Sequence, residues 1–315
     1  MRPRVVIGAG HPDPQGDGHA NHQYCPAPVY ASLVDGSAGY RFVESDGEQG
    51  ADARLLDAAD QAAASDASLF GLFGSAATAT DPGSHFAPPV PVHAPGAPAF
   101  ERDGRDPSLA TCTEAAMRVL ARDPEGFVLM VEGGDIDWAN HGDRSTWMIG
   151  AWQQMDEAIH RAQALVESRS CGGMTPENTL LIVVSDHGNG LLRLREPYDL
   201  PAGSLPSAGQ YAIGEDLFHA MDGSGAIVAD PDLRYPNAPG FDPRDPSTWF
   251  GGHTNELVTC HAWGAGIGHL QAYQDDWYGA QTPLLDHTHV FQAMADFLGL
   301  DPGHDGPQPV LTGGD

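Results

Sequence analysis

The chain has 315 residues, 41% of them hydrophobic, and a formal net charge of −28 from 43 acidic and 15 basic residues. That apolar share can build a core, and the length holds one large α/β domain or two small ones. Every basic residue is Arg and none is Lys; so acidic a surface repels nucleic acid, anionic membranes and phosphate esters alike, and an anion site would have to be made positive by bound metal.

Residues 4–9 read as a strand running into a Gly turn. Residues 11–29 are rich in His, Asp, Pro and Gly; His11, His19 and His22 there read as solvated loop histidines. Tyr40–Val43 is a short strand, Ala51–Ala64 an Ala-rich helix with Leu55 and Leu56, and Ser68–Phe73 a further strand. Residues 81–107, with Pro82, Pro88, Pro89, Pro91, Pro95 and Pro98, form a long irregular loop. It would serve as an arm or subunit contact, which leaves a homodimer open. Ser108–Ala121 is a helix with apolar Ala110, Ala115, Met117, Val119 and Leu120.

Residues 127–132 read as a buried strand, followed by a helix from about Asp135. Residues 144–166 give the longest helix, with Ile149, Trp152, Met155, Ile159, Ala162 and Leu165 at i, i+3, i+4 spacing. Asp156 and Glu157 belong to its solvated face. Thr179–Ser185 is a second buried strand. Residues 190–250 are an irregular insertion that caps the site; Asp230, Asp232 and Asp242 within it lack a calcium-loop spacing. Apolar Leu257–Cys260 and strand-like Ala262–Trp263 follow. Thr288–Leu298 is the closing helix, and the tail from Asp301 is frayed. Alternating strands and helices argue for an α/β sandwich around a largely parallel sheet. A single domain is expected over 1–315, with irregular segments at 81–107 and 190–250.

Cys25, Cys112, Cys171 and Cys260 lie far apart with no Cys-x-x-Cys pair, which argues against a structural zinc site. Free buried thiols and three disulfide pairings remain open. No run is long enough for a membrane span, and Met1 is followed by charged sequence rather than a signal peptide.

Three sites place acidic groups or His beside apolar runs. The run Phe127–Val131 ends on Glu132, then Gly133-Gly134, then Asp137 and His141 at i, i+4 spacing on one helix face. Leu180–Ser185 ends on Asp186-His187-Gly188. Gly252-His253-Thr254 precedes the run Leu257–Cys260. Carboxylate plus imidazole suits Zn²⁺ with a neighbouring Mg²⁺, and open α/β sheets place ligands at strand C-termini.

The stretches Val-Glu-Gly-Gly-x-Ile-Asp-x-x-x-His at 131–141, Ser-Asp-His-Gly at 185–188 and Gly-His-Thr at 252–254 resemble the alkaline phosphatase family in motif, order and spacing. Weaker echoes at Val5–Gly10, Tyr40–Val43 and Leu69–Phe73 extend the resemblance over nearly the whole chain. It implies that Asp137, His141 and His253 hold one zinc, Asp186 and His187 a second, and Glu132 magnesium. It also implies zinc-assisted phosphorylation of a serine, hence hydrolysis of small phosphate monoesters in two displacements.

The family's metal-bridging Asp and its Asp-Ser nucleophile segment belong upstream of these stretches. The opening Arg2–Gly10 resembles a mid-domain strand, so the chain reads as a C-terminal portion whose isolated activity is expected to be slight. Gly74–Thr80 resembles the nucleophile segment from Ser75 onward. Gly74 stands in place of the expected Asp, however, so Ser75 is read as a loop residue and no catalytic nucleophile is assigned. Another phosphatase, a sulfatase or a phosphomutase of the same superfamily is the alternative, as is a non-enzymatic metal-binding remnant. The resembled family is mostly exported, which implies a periplasmic or extracellular parent protein.

Overall fold

The structure, a computed structural model, describes residues 2–13, 20–74, 90–94, 97–101, 104–141, 145–189, 192–194, 211–213, 253–254, 257–274 and 284–300. Its contacts divide the chain into two compact units. The first comprises Met1–Gly173 and Ser185–Val258, the second Met174–Val184 and Thr259–Asp315.

The first unit opens with β1 (Val5–Gly8), α1 (Ala27–Val34), β2 (Tyr40–Glu44), α2 (Ala51–Ser65) and β3 (Ser68–Leu72). The strands form a parallel sheet in the order β1-β3-β2. The connection from β1 to β2 passes over the β3 position, and the next one comes back. Right-handed crossovers then put α1 and α2 on opposite faces. Side-chain alternation along β3 agrees. Leu69 and Phe73 join Leu55, Ala58, Ala59 and Ala62 of α2, whereas Phe70 and Leu72 join Leu33 and Tyr30 of α1. The expected sandwich is therefore built here, around three parallel strands among the described residues.

α3 (Leu109–Leu120) packs beside α2 and contributes Cys112, Ala115 and Val119 to the same core. Ser108 caps it, its hydroxyl accepting the Thr111 N–H at 3.0 Å. α4 (Asp135–His141) and α5 (Ser145–Glu167) follow. The long helix was legible, but its buried face is shifted: of the expected apolar residues Ala162 is buried and Met155, Ile159 and Leu165 are half-buried. Ala151, Gln154, Ala158, Ala162 and Val166 are buried, while Trp152 is 50% exposed. Small residues let α5 approach α3, so size rather than hydrophobicity sets the contact. Buried Glu114 of α3 ties these helices together. It accepts from Arg118, which also reaches Asp60 of α2 at 2.8 Å, and from Arg161 of α5. Gly172, at φ +55°, closes the loop after α5; a Cβ there would lie 2.2 Å from the Ala121 carbonyl oxygen.

Several expectations are corrected. Phe127–Glu132 joins no sheet among the described residues, and Val128 and Met130 are 57% and 84% exposed. Within 81–107 a hairpin forms, β4 (Val90–Ala94) against β5 (Ala97–Glu101). The stretch 11–29 ends in the first turn of α1, which Pro28 suits. His11 is buried, not solvated, and His22 hydrogen-bonds the Cys25 carbonyl at 2.9 Å. His19 and residues 230–242 lie outside the described residues.

The second unit pairs β6 (Leu180–Val184) with β11 (Cys260–Gly264) in antiparallel register. Leu257 precedes β11 and is exposed. α6 (Ile267–Ala272), unexpected from the sequence, packs on α7 (His287–Phe297). Asp286 caps α7: its carboxylate accepts the Thr288 N–H at 2.9 Å, and its own N–H donates to His289 Nδ1 at 3.1 Å. Three short strands and their partner remain, all in the first unit: β7 (Gly188–Asn189) with β10 (His253–Thr254), and β8 (Leu192–Leu194) with β9 (Tyr211–Ile213). All four cysteines are free thiols; Cys25, Cys112 and Cys171 are buried. Burial pushes the Cys25, Cys171 and Cys260 thiols up, away from reactive thiolate. Among the described residues no helix is long and apolar enough to cross a membrane.

Candidate metal centre

Two short elements and a helix bring the donors together. Gly133 and Gly134 turn the chain into α4, where the Ile136 N–H donates to the Gly133 carbonyl and the Trp138 N–H to that of Gly134. This sets Asp137 in the first turn. The two-residue β7–β10 ladder pairs Asn189 with His253 and Gly188 with Thr254, which carries His253 next to His187. The two imidazoles stack with centroids 3.5 Å apart and planes 19° apart. His253 Nε2 lies 3.3 Å from Asp137 Oδ1. One donor atom from each of Asp137, His187 and His253 falls within 4.8 Å of the others.

Local contacts orient His187. Its Nδ1 lies 3.2 Å from the Gly188 carbonyl, its backbone carbonyl accepts from the Ser185 hydroxyl at 2.7 Å, and its N–H donates to Asp186 Oδ1. With Nδ1 directed at that carbonyl, Nε2 is the ring nitrogen left to ligate a metal. Asp186 Oδ2 is 3.2 Å from the same Nε2 and is 85% exposed.

Asp137 and His253, which the resemblance implied on one zinc, stand together in this group. His187, expected on a second zinc with Asp186, stands with Asp137 and His253. His141 ends α4, but its side chain lies outside the described residues, as does Ser75. Glu132 is outside the three-donor group. Its carboxylate folds over Gly134, where a Cβ would sit 3.1 Å from Oε1. Two further carboxylates were not foreseen. Asp135 is pushed up to about 7 by its burial and by the charges of Asp106 and Glu132. Asp106 accepts the Gly74 N–H at 2.9 Å, just past the end of β3. Asp135 lies between two residues already singled out, and that position was the available signal; Asp106 offered only its place two residues before a helix cap.

An α/β chain that gathers a nitrogen–oxygen donor set of this kind falls in the class of candidate metal-binding proteins. The family model described as alkaline phosphatase matches residues 55–218, and the chain belongs to the alkaline phosphatase family. An alkaline phosphatase of Gadus morhua is 29% identical over 201 residues, 61% of this chain and 33% of that protein. The tissue-nonspecific alkaline phosphatase isozyme of Felis catus is 38% identical over 84 residues, 27% of this chain and 14% of that protein. The chain thus spans about a third or less of the length of these curated relatives. A cold-active alkaline phosphatase structure from the psychrophile Shewanella sp. aligns with a TM-score of 0.50 at 20% identity, covering 93% of this chain and 65% of that one. That likeness concerns the fold.

Proposed function

We propose that this chain carries the metal-binding part of a site that hydrolyses small phosphate monoesters. The observation that supports this most is the convergence of Asp137, His187 and His253 within 4.8 Å. Two imidazoles and a carboxylate fit zinc, and three protein donors leave a coordination position open, as catalytic sites do. A zinc ion held there would supply Lewis acidity and lower the pKa of bound water to about 7.

The chain's own residues do the rest. Asp137 contributes negative charge that offsets the cation. The Gly188 carbonyl fixes the His187 tautomer, and the β7–β10 ladder fixes the His253 ring. Following the resemblance, His141 is the further donor proposed for the zinc of Asp137 and His253, Asp186 the donor for a second zinc beside His187, and Glu132 the donor for magnesium. Both imidazoles must be neutral to ligate, so metal affinity falls as pH drops through the histidine range. In a chain of such negative charge, the cation is also what makes the site attractive to a phosphate dianion. The sequence reading assigns no nucleophile, Ser75 being read as a loop residue, and on that reading the expected turnover of residues 1–315 is slight.

The test pairs two readouts on one sample. Micromolar zinc should raise the thermal midpoint, by about 2.7 kcal/mol of stabilisation at a hundredfold excess over Kd. His253→Ala or Asp137→Asn should remove most of that rise. Hydrolysis of an aryl phosphate should stay at background. A midpoint indifferent to zinc would sink the metal reading. Zinc-dependent turnover lost in His253→Ala would keep the site and overturn the expected inactivity.

A further inference from the structure

The turn that opens α4 is held from outside as well as by its own hydrogen bonds. Neither Gly133 nor Gly134 has a left-handed backbone, so what glycine supplies here is room. A Cβ on Gly133 would lie 3.3 Å from Met155 Sδ of α5 and 3.3 Å from Ile136 Cδ1. The Met155 and Ile136 side chains, both half-buried, thus converge on the space over the Gly133 backbone. α5 is in turn fixed to the core, because Arg161 donates to buried Glu114 of α3. Arg161 lies within two turns of Met155, so the side chain under the turn is anchored close by.

The turn decides where Asp137 points. The Ile136 N–H donates to the Gly133 carbonyl at 3.1 Å and the Trp138 N–H to that of Gly134 at 3.2 Å, and Asp137 sits between the two. His187 and His253 come from one ladder, whereas Asp137 comes from α4 and reaches them by the placement of that helix. Its Oδ1 stands 3.3 Å from His253 Nε2. Zinc takes ligands at about 2.0–2.2 Å, so a shift of roughly 1 Å in the turn would take the carboxylate out of a shared coordination shell.

We propose that Met155 is the positioning residue for Asp137: its side chain seats the Gly133–Ile136 turn on α5 and so sets the distance from the carboxylate to the two imidazoles. Met155 is not itself a donor. Its unbranched thioether fills an irregular gap, and a shorter side chain leaves a cavity into which the turn can sink. The functional meaning of this seat rests on the proposed metal site; the seat itself belongs to the metal-free protein.

Three variants test it. Met155→Ala empties the seat, Met155→Leu refills it at similar volume, and Val166→Ala trims a fully buried side chain at the far end of α5. Zinc affinity is read by competition with a chromogenic chelator, and amide hydrogen exchange at Ile136 and Trp138 is read without metal. Met155→Ala should weaken zinc binding about tenfold and speed that exchange roughly tenfold; Met155→Leu should restore both. Val166→Ala should lower the thermal midpoint and move neither. In an Asp137→Asn background, Met155→Ala should cost little further zinc affinity, because two changes acting through one carboxylate do not add. Parent-like zinc affinity in Met155→Ala, unchanged exchange at Ile136 and Trp138, or a loss that adds in full to that of Asp137→Asn would each overturn the proposal. So would an equal loss of zinc affinity in Val166→Ala, which would make the effect one of general stability. A parent protein that binds no zinc, while exchange at Ile136 and Trp138 still responds to Met155, would end the metal reading and leave the seat of Asp137 standing.

Discussion

Hydrogen bonds converge on Glu44 at the end of β2. His11 Nε2 lies 2.9 Å away and the Tyr30 hydroxyl donates at 2.8 Å. His11 Nδ1 accepts the Asp13 N–H at 3.0 Å, so the neutral Nε2–H tautomer satisfies both ring nitrogens. This closes the ring to metal and to proton transfer, and His11 acts as a strut between the loop after β1 and β2. Burial opposes ionisation of Glu44, but the bonds from His11 and Tyr30 outweigh it and hold the carboxyl below its usual range. Its stabilising share is therefore present above the unfolded pKa, about 4.3, and is lost as pH falls through the lower folded value. Glu44→Gln should cost about 1–3 kcal/mol near neutrality. It should also flatten the fall of the thermal midpoint in acid. Equal acid sensitivity in both proteins would show that other carboxylates govern that limb. None of this was legible beforehand, because His11 sits in a polar, Pro-rich stretch and its partners are 19 and 33 residues away along the chain.

At the scale of elements, α3 is held from all sides, and its start depends on one hydroxyl. Ser108 Oγ accepts the Thr111 N–H and donates to Thr111 Oγ1 at 2.8 Å, while the Ser108 N–H donates to Asp52 of α2. Ser108→Ala should lower stability by about 1–2 kcal/mol, the upper part of the range for capping residues, because the cap is buried. Ser108→Thr should restore most of the loss. Chemical denaturation of the three proteins measures this, and an alanine variant as stable as the parent would mean that water replaces the cap. Periodicity made α2, α3, α5 and α7 readable, and compact apolar runs made β1, β2, β3 and β6 readable. It failed at Phe127–Glu132 because a strand is completed by neighbours that its own residues do not encode. The same reason explains the metal centre. Asp137, His187 and His253 were each legible as donors, but their grouping depends on a ladder two residues long, too brief to leave a pattern.

Across the whole molecule, the 15 arginines are outnumbered by 43 carboxylates, and Arg54, Arg118 and Arg161 already serve internal pairs. Most of the remaining acidic surface repels itself. Screening shortens from about 10 Å at 0.1 M salt to about 3 Å at 1 M. The thermal midpoint should therefore rise with sodium chloride, and by a similar amount with choline chloride, whose cation cannot coordinate carboxylates closely. Exposed ion pairs weaken in parallel, but each contributes at most about 1 kcal/mol. A flat or falling midpoint would show that long-range repulsion is minor. A rise with sodium alone would point to bound ions.

The β7–β10 ladder also bears on when the site can exist during synthesis. It joins segments roughly sixty residues apart, and such non-local pairings form late. A ribosome delivers Asp137 and then His187 well before His253, so the proposed site would close on an ion only after His253 has been made. Ion capture there would follow synthesis of β1, β2, β3 and their flanking helices, which would have to form without the ion's help.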